Sequence, residues 1–161
     1  MIILLLGKNG QIGWELQRTL PTLGQVVALG RDRLDLADAI ALRRTVREVR
    51  PDIIVNAAAY TAVDRAEEEA ALAMAVNGIA PGILAEEAAR LKALLVHYST
   101  DYVFDGTGTA PYREEDRPNP LNVYGRSKLA GEEAIRASGA PHLIFRTSWV
   151  YGLRGKNFLL T

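Results

Sequence analysis

Residues 1–13 read MIILLLGKNGQIG: an unbroken apolar run, Met1 to Leu6, leads into a turn with glycines at 7, 10 and 13. A strand that is apolar at every position, rather than at alternate ones, is covered on both faces, as in a parallel sheet. The residues after the turn, 11–20, carry a helical pattern. A buried strand, a glycine turn and a helix start together form a phosphate cradle. Gly7 permits the sharp turn and Gly10 lets the backbone approach a pyrophosphate. Gly13 lets the helix pack on the strand, with the helix N-terminus facing the anion. The apolar run is too short, and lacks the basic flank, for a signal peptide or a membrane span.

The rest of the chain repeats the alternation. Strands are expected at 25–29, 52–55, 93–98 and 143–147. Asp38 caps a helix that Pro51 stops, and residues 64–75 form another. Asn77 opens a further helix with an interrupted start, and a helix through Tyr124 and Lys128 runs to about Ser138, where Gly139 ends it. Strands alternating with helices imply right-handed crossovers and an α/β, Rossmann-type doubly wound parallel sheet with helices on both faces. At 161 residues the expectation is one NAD(P)-binding domain over 1–161. Residues 154–161 read as the first turn of a helix that is then cut, so the chain is expected to be truncated; a resemblance given below implies that a C-terminal substrate domain is missing.

Composition removes several function classes. Basic and acidic residues balance, 19 against 19, so no broad attraction to nucleic acid is indicated. With no cysteine, disulfides and thiolate chemistry are excluded. His97 and His142 are too far apart for a zinc pattern. A soluble, cytoplasmic protein with no membrane partner is the default expectation.

Candidate site residues sit where each strand ends. After the second strand come Gly30 and Arg31, with no carboxylate to repel a 2′-phosphate. Arg31, with Arg33 as a second candidate, would pair with that phosphate and favour NADPH over NADH; the alternative is a solvated loop arginine. Asp35 and Leu36 are placed to reach the adenine. Ala59, Tyr60 and Thr61, after the third strand, would line the cofactor or simply pack. Asn77 reads equally as a buried hydrogen-bonding residue or a helix cap, and His97 as a satisfied core histidine. Thr100 offers a hydroxyl to a substrate carbonyl oxygen, and Asp101 could accept a proton or orient that hydroxyl. The proline-bearing loop 106–120 has the character of a substrate-side loop or lid. Tyr124 and Lys128, one turn apart on a helix, share a face. The ammonium would favour the phenolate and bring the tyrosine towards the range of a working proton donor. Trp149 would stack on a nucleotide or serve as a buried anchor.

The phrases GKNGQIGWELQ, PDIIVNAAAYTAVDRAE, YSTDYVFDG, NVYGRSKLAGE and RTSWVYG together resemble the dTDP-4-dehydrorhamnose reductases, a family of extended short-chain dehydrogenases. The resemblance implies NADPH-dependent reduction of the C4 ketone of dTDP-4-dehydro-L-rhamnose to dTDP-L-rhamnose, with NADH as the lesser cofactor because Gly30 stands where NADH users carry an acid. It implies Gly10, Gln11 and Ile12 at the pyrophosphate, Asp35 and Leu36 by the adenine, and Ala59, Tyr60 and Thr61 along the dinucleotide. Tyr98 falls near the nicotinamide, Thr100 and Asp101 meet the sugar, and Trp149 contacts the substrate. Tyr124 becomes the proton donor, with Lys128 on the nicotinamide ribose tuning it. Glu15 matches one ligand of a magnesium that bridges a homodimer in some relatives. Two rival readings stand beside this one: a nucleotide-sugar epimerase or dehydratase of the same superfamily, or a non-catalytic regulatory subunit similar to that of methionine adenosyltransferase. The presence of Thr100, Tyr124 and Lys128 together favours an enzyme.

Overall fold

The computed structural model describes residues 1–155 and 157–160. Five strands, β1 Ile2–Leu6, β2 Gln25–Leu29, β3 Ile53–Asn56, β4 Leu94–Thr100 and β5 His142–Thr147, form one sheet in the order β2-β1-β3-β4-β5. Every pairing is parallel. From β1 the chain steps outward to β2 and then crosses back to β3, so the winding reverses between β1 and β3. A crevice opens at the carboxyl ends of the strands at such a reversal.

The apolar run of β1 is explained by cover on both faces. Leu4 and Leu6 pack with Leu42 and Val46 of α2 (Ala39–Val49) and Leu84 of α5 (Ala80–Leu91). Ile3 and Leu5 pack with Val55 and against Leu16 of α1 (Gln11–Thr19). The local signals act as read: Asp38 accepts the Ile40 and Ala41 N–H groups at 3.0 and 2.9 Å, and Arg50 closes α2 in the left-handed region just before Pro51. α6 (Val123–Ala137) is capped by Asn122, which accepts the Gly125 N–H at 2.7 Å.

The middle helices depart from expectation. The stretch 64–75 breaks into α3 (Val63–Glu68) and α4 (Ala70–Met74), and a π-helical turn, Ala75–Ile79, carries α4 into α5 without interruption. The cause is Pro81, which has no N–H and whose ring would strike the carbonyl four residues back in a regular helix. The wider turn, closed by the Ala80 N–H on the Ala75 carbonyl, relieves both. Residues 158–160 form a turn rather than a helix, with the Leu160 N–H on the Asn157 carbonyl at 3.1 Å; Lys156 and Thr161 lie outside the described residues. No helix among the described residues is long and apolar enough to cross a membrane.

Two buried carboxylates tie layers together. Glu87 of α5 takes Arg43 and Arg47 of α2. Glu132 of α6 accepts from Ser99 of β4 at 2.5 Å, from Arg146 of β5 at 3.0 and 2.7 Å, and from Arg136 at 2.9 Å.

Candidate active site

A cleft of about 1000 Å³ opens above the carboxyl ends of β1 to β4. Its floor is the glycine turn. Gly7 has φ +84°, and the Gly7 N–H donates to the Leu29 carbonyl of β2 at 2.9 Å. A Cβ there would lie 2.7 Å from the Ala58 nitrogen, so only glycine lets the loops after β1 and β3 meet. A Cβ at Gly13 would overlap the Gly7 carbonyl oxygen, which is the close helix packing expected of it. At Gly10, by contrast, a Cβ would meet nothing nearer than 3.4 Å, and Gly10 lines the cleft. α1 begins there with no side-chain cap. Its first N–H groups therefore suit an anion, and the turn fits a dinucleotide pyrophosphate.

Nearly all the expected site residues come together around this cleft. Gln11 and Ile12, then Arg31, Asp35 and Leu36, then Ala59, Tyr60 and Thr61 line one half; Tyr98, Thr100, Asp101, Tyr124, Lys128 and Trp149 line the other. Gly13 is buried beneath it. Arg33 and the loop 106–120 are not among the lining residues. The loop is instead tied to itself: Asp105 accepts from the Thr107 N–H, Tyr112 Oη and Asn119 Nδ2 at 3.0, 3.1 and 2.9 Å. Glu15 faces outward beside Arg18 at 3.3 Å, and among the described residues no group of three or more acidic or histidine side chains could hold a metal ion.

Arg31 is exposed, and its ion pair with Asp35 is long, 3.9 Å; such a pair contributes little and leaves the guanidinium open to a stronger anion. Tyr60 turns its hydroxyl onto Glu69 at 2.6 Å, and Glu69 is also held by Arg65. Asn77 resolves in favour of the buried hydrogen-bonding residue. It accepts the Tyr60 N–H at 2.9 Å and donates to the Tyr60 carbonyl at 2.9 Å and to Ser127 Oγ at 3.0 Å. The π-helical turn thus fastens the cleft wall to α6.

Thr100 ends β4 and is almost fully buried. It donates to Asp101 Oδ1 at 3.1 Å, while Ser148 Oγ donates to Asp101 Oδ2 at 2.6 Å. Tyr124 is 9% exposed, edge-on to Tyr102. The expected lowering of its pKa is corrected by the structure. Burial holds the Tyr124 phenol above its usual range, and its hydrogen bond with Thr100 pulls only partly back. Lys128 is not among the causes; its amino group is engaged below, where Nζ donates to the Tyr98 carbonyl at 2.6 Å and lies 3.4 Å from His97 Nε2. Burial depresses Lys128 to about 8, against an opposing push from Glu132. Trp149 is no buried anchor: it is 75% exposed, with φ +51° and its ring edge-on to Phe158.

Glu132 and Arg136 went unread in the sequence as site support. Their signal was the spacing: Tyr124, Lys128, Glu132 and Arg136 stand four apart down one face of α6, each able to reach the next.

A glycine turn at the sheet's point of reversal, facing a Tyr-x-x-x-Lys helix across one cleft, defines a Rossmann-type fold of the short-chain dehydrogenase kind. Comparison with known proteins narrows this. The chain belongs to the family described as RmlD substrate binding domain, whose profile matches residues 1–161. It is 56% identical over 161 residues to the dTDP-4-dehydrorhamnose reductase of Burkholderia thailandensis, covering 100% of this chain and 54% of that one. Among solved structures it superposes on the dTDP-4-dehydrorhamnose reductase of Clostridium acetobutylicum with TM-score 0.95 at 40% identity, covering 99% of this chain and 57% of the other. The NADP complex of the Bacillus anthracis dTDP-4-dehydrorhamnose reductase gives 0.94 at 39%, covering 99% and 57%. The chain spans about half the length of the relatives it matches.

Proposed function

We propose that this chain is the cofactor-binding and proton-donating half of an NADPH-dependent nucleotide-sugar ketone reductase acting on dTDP-4-dehydro-L-rhamnose. The observation that carries this is the convergence of Thr100, Tyr124 and Lys128 on the cleft floored by the glycine turn. The names of the relatives and the NADP bound to the Bacillus anthracis protein support the same reading.

Hydride donation to a carbonyl carbon is the chemistry the dinucleotide supplies when bound. Gly10 and the open first turn of α1 would hold its pyrophosphate, Arg31 its 2′-phosphate, and Asp35 with Leu36 its adenine. Tyr124 gives its proton to the carbonyl oxygen as negative charge develops there, and Thr100 hydrogen-bonds the same oxygen. A phenol held above its ordinary range at rest keeps its proton until that charge appears. General acid catalysis of this kind contributes about 10²–10⁴-fold. Lys128, one turn from Tyr124 in the same cleft, would hold the nicotinamide ribose.

The test joins this chain to the C-terminal half of the Burkholderia relative and follows NADPH consumption with the dTDP-keto sugar. Consumption of one NADPH per sugar reduced is expected. Tyr124→Phe should lower turnover by about 10²–10⁴-fold and leave NADPH affinity nearly unchanged. Turnover that recycles the cofactor would point to an epimerase, and an unaffected Tyr124→Phe enzyme would remove Tyr124 from the chemistry.

A further inference from the structure

His97 takes no part in the reduction described above, yet it is wholly buried one contact from Lys128. It sits on β4 in register with Asn56 of β3, which is also wholly buried. Its Nδ1 lies 3.1 Å from Asn56 Nδ2. The Asn56 oxygen is already occupied, accepting the Ala58 N–H at 3.3 Å. Asn56 therefore offers an amide N–H to the ring, and Nδ1 has to accept it. A neutral imidazole that accepts at Nδ1 carries its own proton on Nε2. That N–H points at Lys128 Nζ, 3.4 Å away.

Hydrogen-bond capacity then decides what Lys128 is. An ammonium has three donors and no acceptor, so it cannot receive the His97 N–H. An uncharged amine has one lone pair and two N–H groups. It can accept from His97 and still donate to the Tyr98 carbonyl at 2.6 Å. We propose that the Asn56–His97 pair is a positioning device: it presents Nε2–H to Lys128 and makes the amino group beside Tyr124 a proton-exchanging amine rather than a fixed cation. The proposal rests on the reading of Tyr124 and Lys128 as the reducing site and adds the group that governs the lysine.

Burial acts on Lys128 in the same direction, and burial holds His97 well below its ordinary value, so the ring stays neutral. The opposing group is Glu132, one turn along α6, and its charge is largely taken up by Arg146 of β5, Arg136 and Ser99. From the cleft side Lys128 is faced by Tyr124, and beyond it by Asp101. β3 contributes only the neutral Asn56.

The experiment is a two-bond ¹⁵N–¹H correlation of the imidazole rings in the uniformly labelled chain, with His142→Gln assigning the two histidines. His97 is expected neutral with its proton on Nε2. A proton on Nδ1, or an imidazolium at neutral pH, overturns the proposal whatever any variant does. The second readout is the titration of Lys128, followed by its side-chain ¹³Cε and ¹⁵Nζ shifts. His97→Gln can turn an amide oxygen towards the lysine. A hydrogen bond to a charged group is worth enough to raise the proton affinity of Lys128 about tenfold, moving the midpoint up by about one pH unit. A folded His97→Gln chain with an unmoved midpoint also overturns it. Neither readout uses turnover, so failure here leaves the reductase reading standing.

Discussion

Glu132→Gln tests the support beneath the site. Glu132 is fully buried and accepts four hydrogen bonds, three of them from arginines. Glutamine keeps the shape but removes the charge and turns one acceptor into a donor facing an arginine. Breaking a buried pair in this way costs about 3–5 kcal/mol. The lower end applies here, because Arg136 is half-exposed and can be rehydrated, whereas Arg146 is mostly buried. The expected loss is therefore about 3 kcal/mol at neutral pH. With a urea slope of about 2 kcal/mol/M, this lowers the unfolding midpoint by about 1.5 M.

The pH dependence carries a sign. Burial pushes Glu132 up, but hydrogen bonds from Arg146 and Ser99 outweigh it and leave the carboxyl below its ordinary 4.5. A depressed carboxylate contributes stability above its unfolded value and loses it as pH falls through the folded one. The gap between wild type and Glu132→Gln should thus be full at neutral pH and narrow in acid. Urea melts at several pH values measure it. A gap under about 1 kcal/mol at neutral pH, or one that does not narrow in acid, would refute the reasoning. In a double-mutant cycle with Arg146→Met the two losses should fall well short of additive.

Arg31→Ala should weaken NADPH binding by about tenfold, the loss of one charge-assisted contact, and leave NADH binding unchanged in a nicotinamide fluorescence titration; equal losses would exclude Arg31 as the 2′-phosphate partner. Gly13→Ala would drive a methyl into the Gly7 carbonyl, so both the melting temperature and NADPH affinity should fall, and a chain matching wild type in both would contradict the packing. Asn77→Leu removes three hydrogen bonds to Tyr60 and Ser127 and strands the Tyr60 N–H and carbonyl. About 2–3 kcal/mol of stability should go, with slowed NADPH binding by stopped flow; retention of both would demote the Asn77 clamp.

The sheet was readable because its signals are local. Apolar runs, Asp38, Pro51 and the glycines at 7 and 13 act over a few residues, and the strand bounds shift by no more than two positions. Thr100 belongs to β4 itself rather than to a turn after it. What was missed depends on distant partners. How the widened turn before Pro81 seats on α6 is such a case, for a Cβ at Gly131 would overlap the Asn77 carbonyl oxygen. The Tyr124–Lys128 spacing correctly puts both on one face. It cannot say that the Tyr98 carbonyl and His97 meet the Lys128 amino group from below, because those groups lie some thirty residues away in sequence. The hold of Asp105 on Thr107, Tyr112 and Asn119 across the loop 106–120 likewise joins residues that the sequence pattern does not link.

The π-helical turn at Ala75–Ile79 works as a phase shifter. Each residue of an α-helix advances the side-chain direction by about 100°, so one residue in excess rotates everything after it by that angle. Before the turn, the rod presents Ala73 to the small cluster around Tyr124; after it, the same rod presents Ile83, Leu84 and Ala88 to the main core. A single continuous rod thereby meets two clusters. Removing one residue from this turn would turn α5 out of register with the sheet while leaving composition and hydrophobicity almost untouched, a frame error in three dimensions.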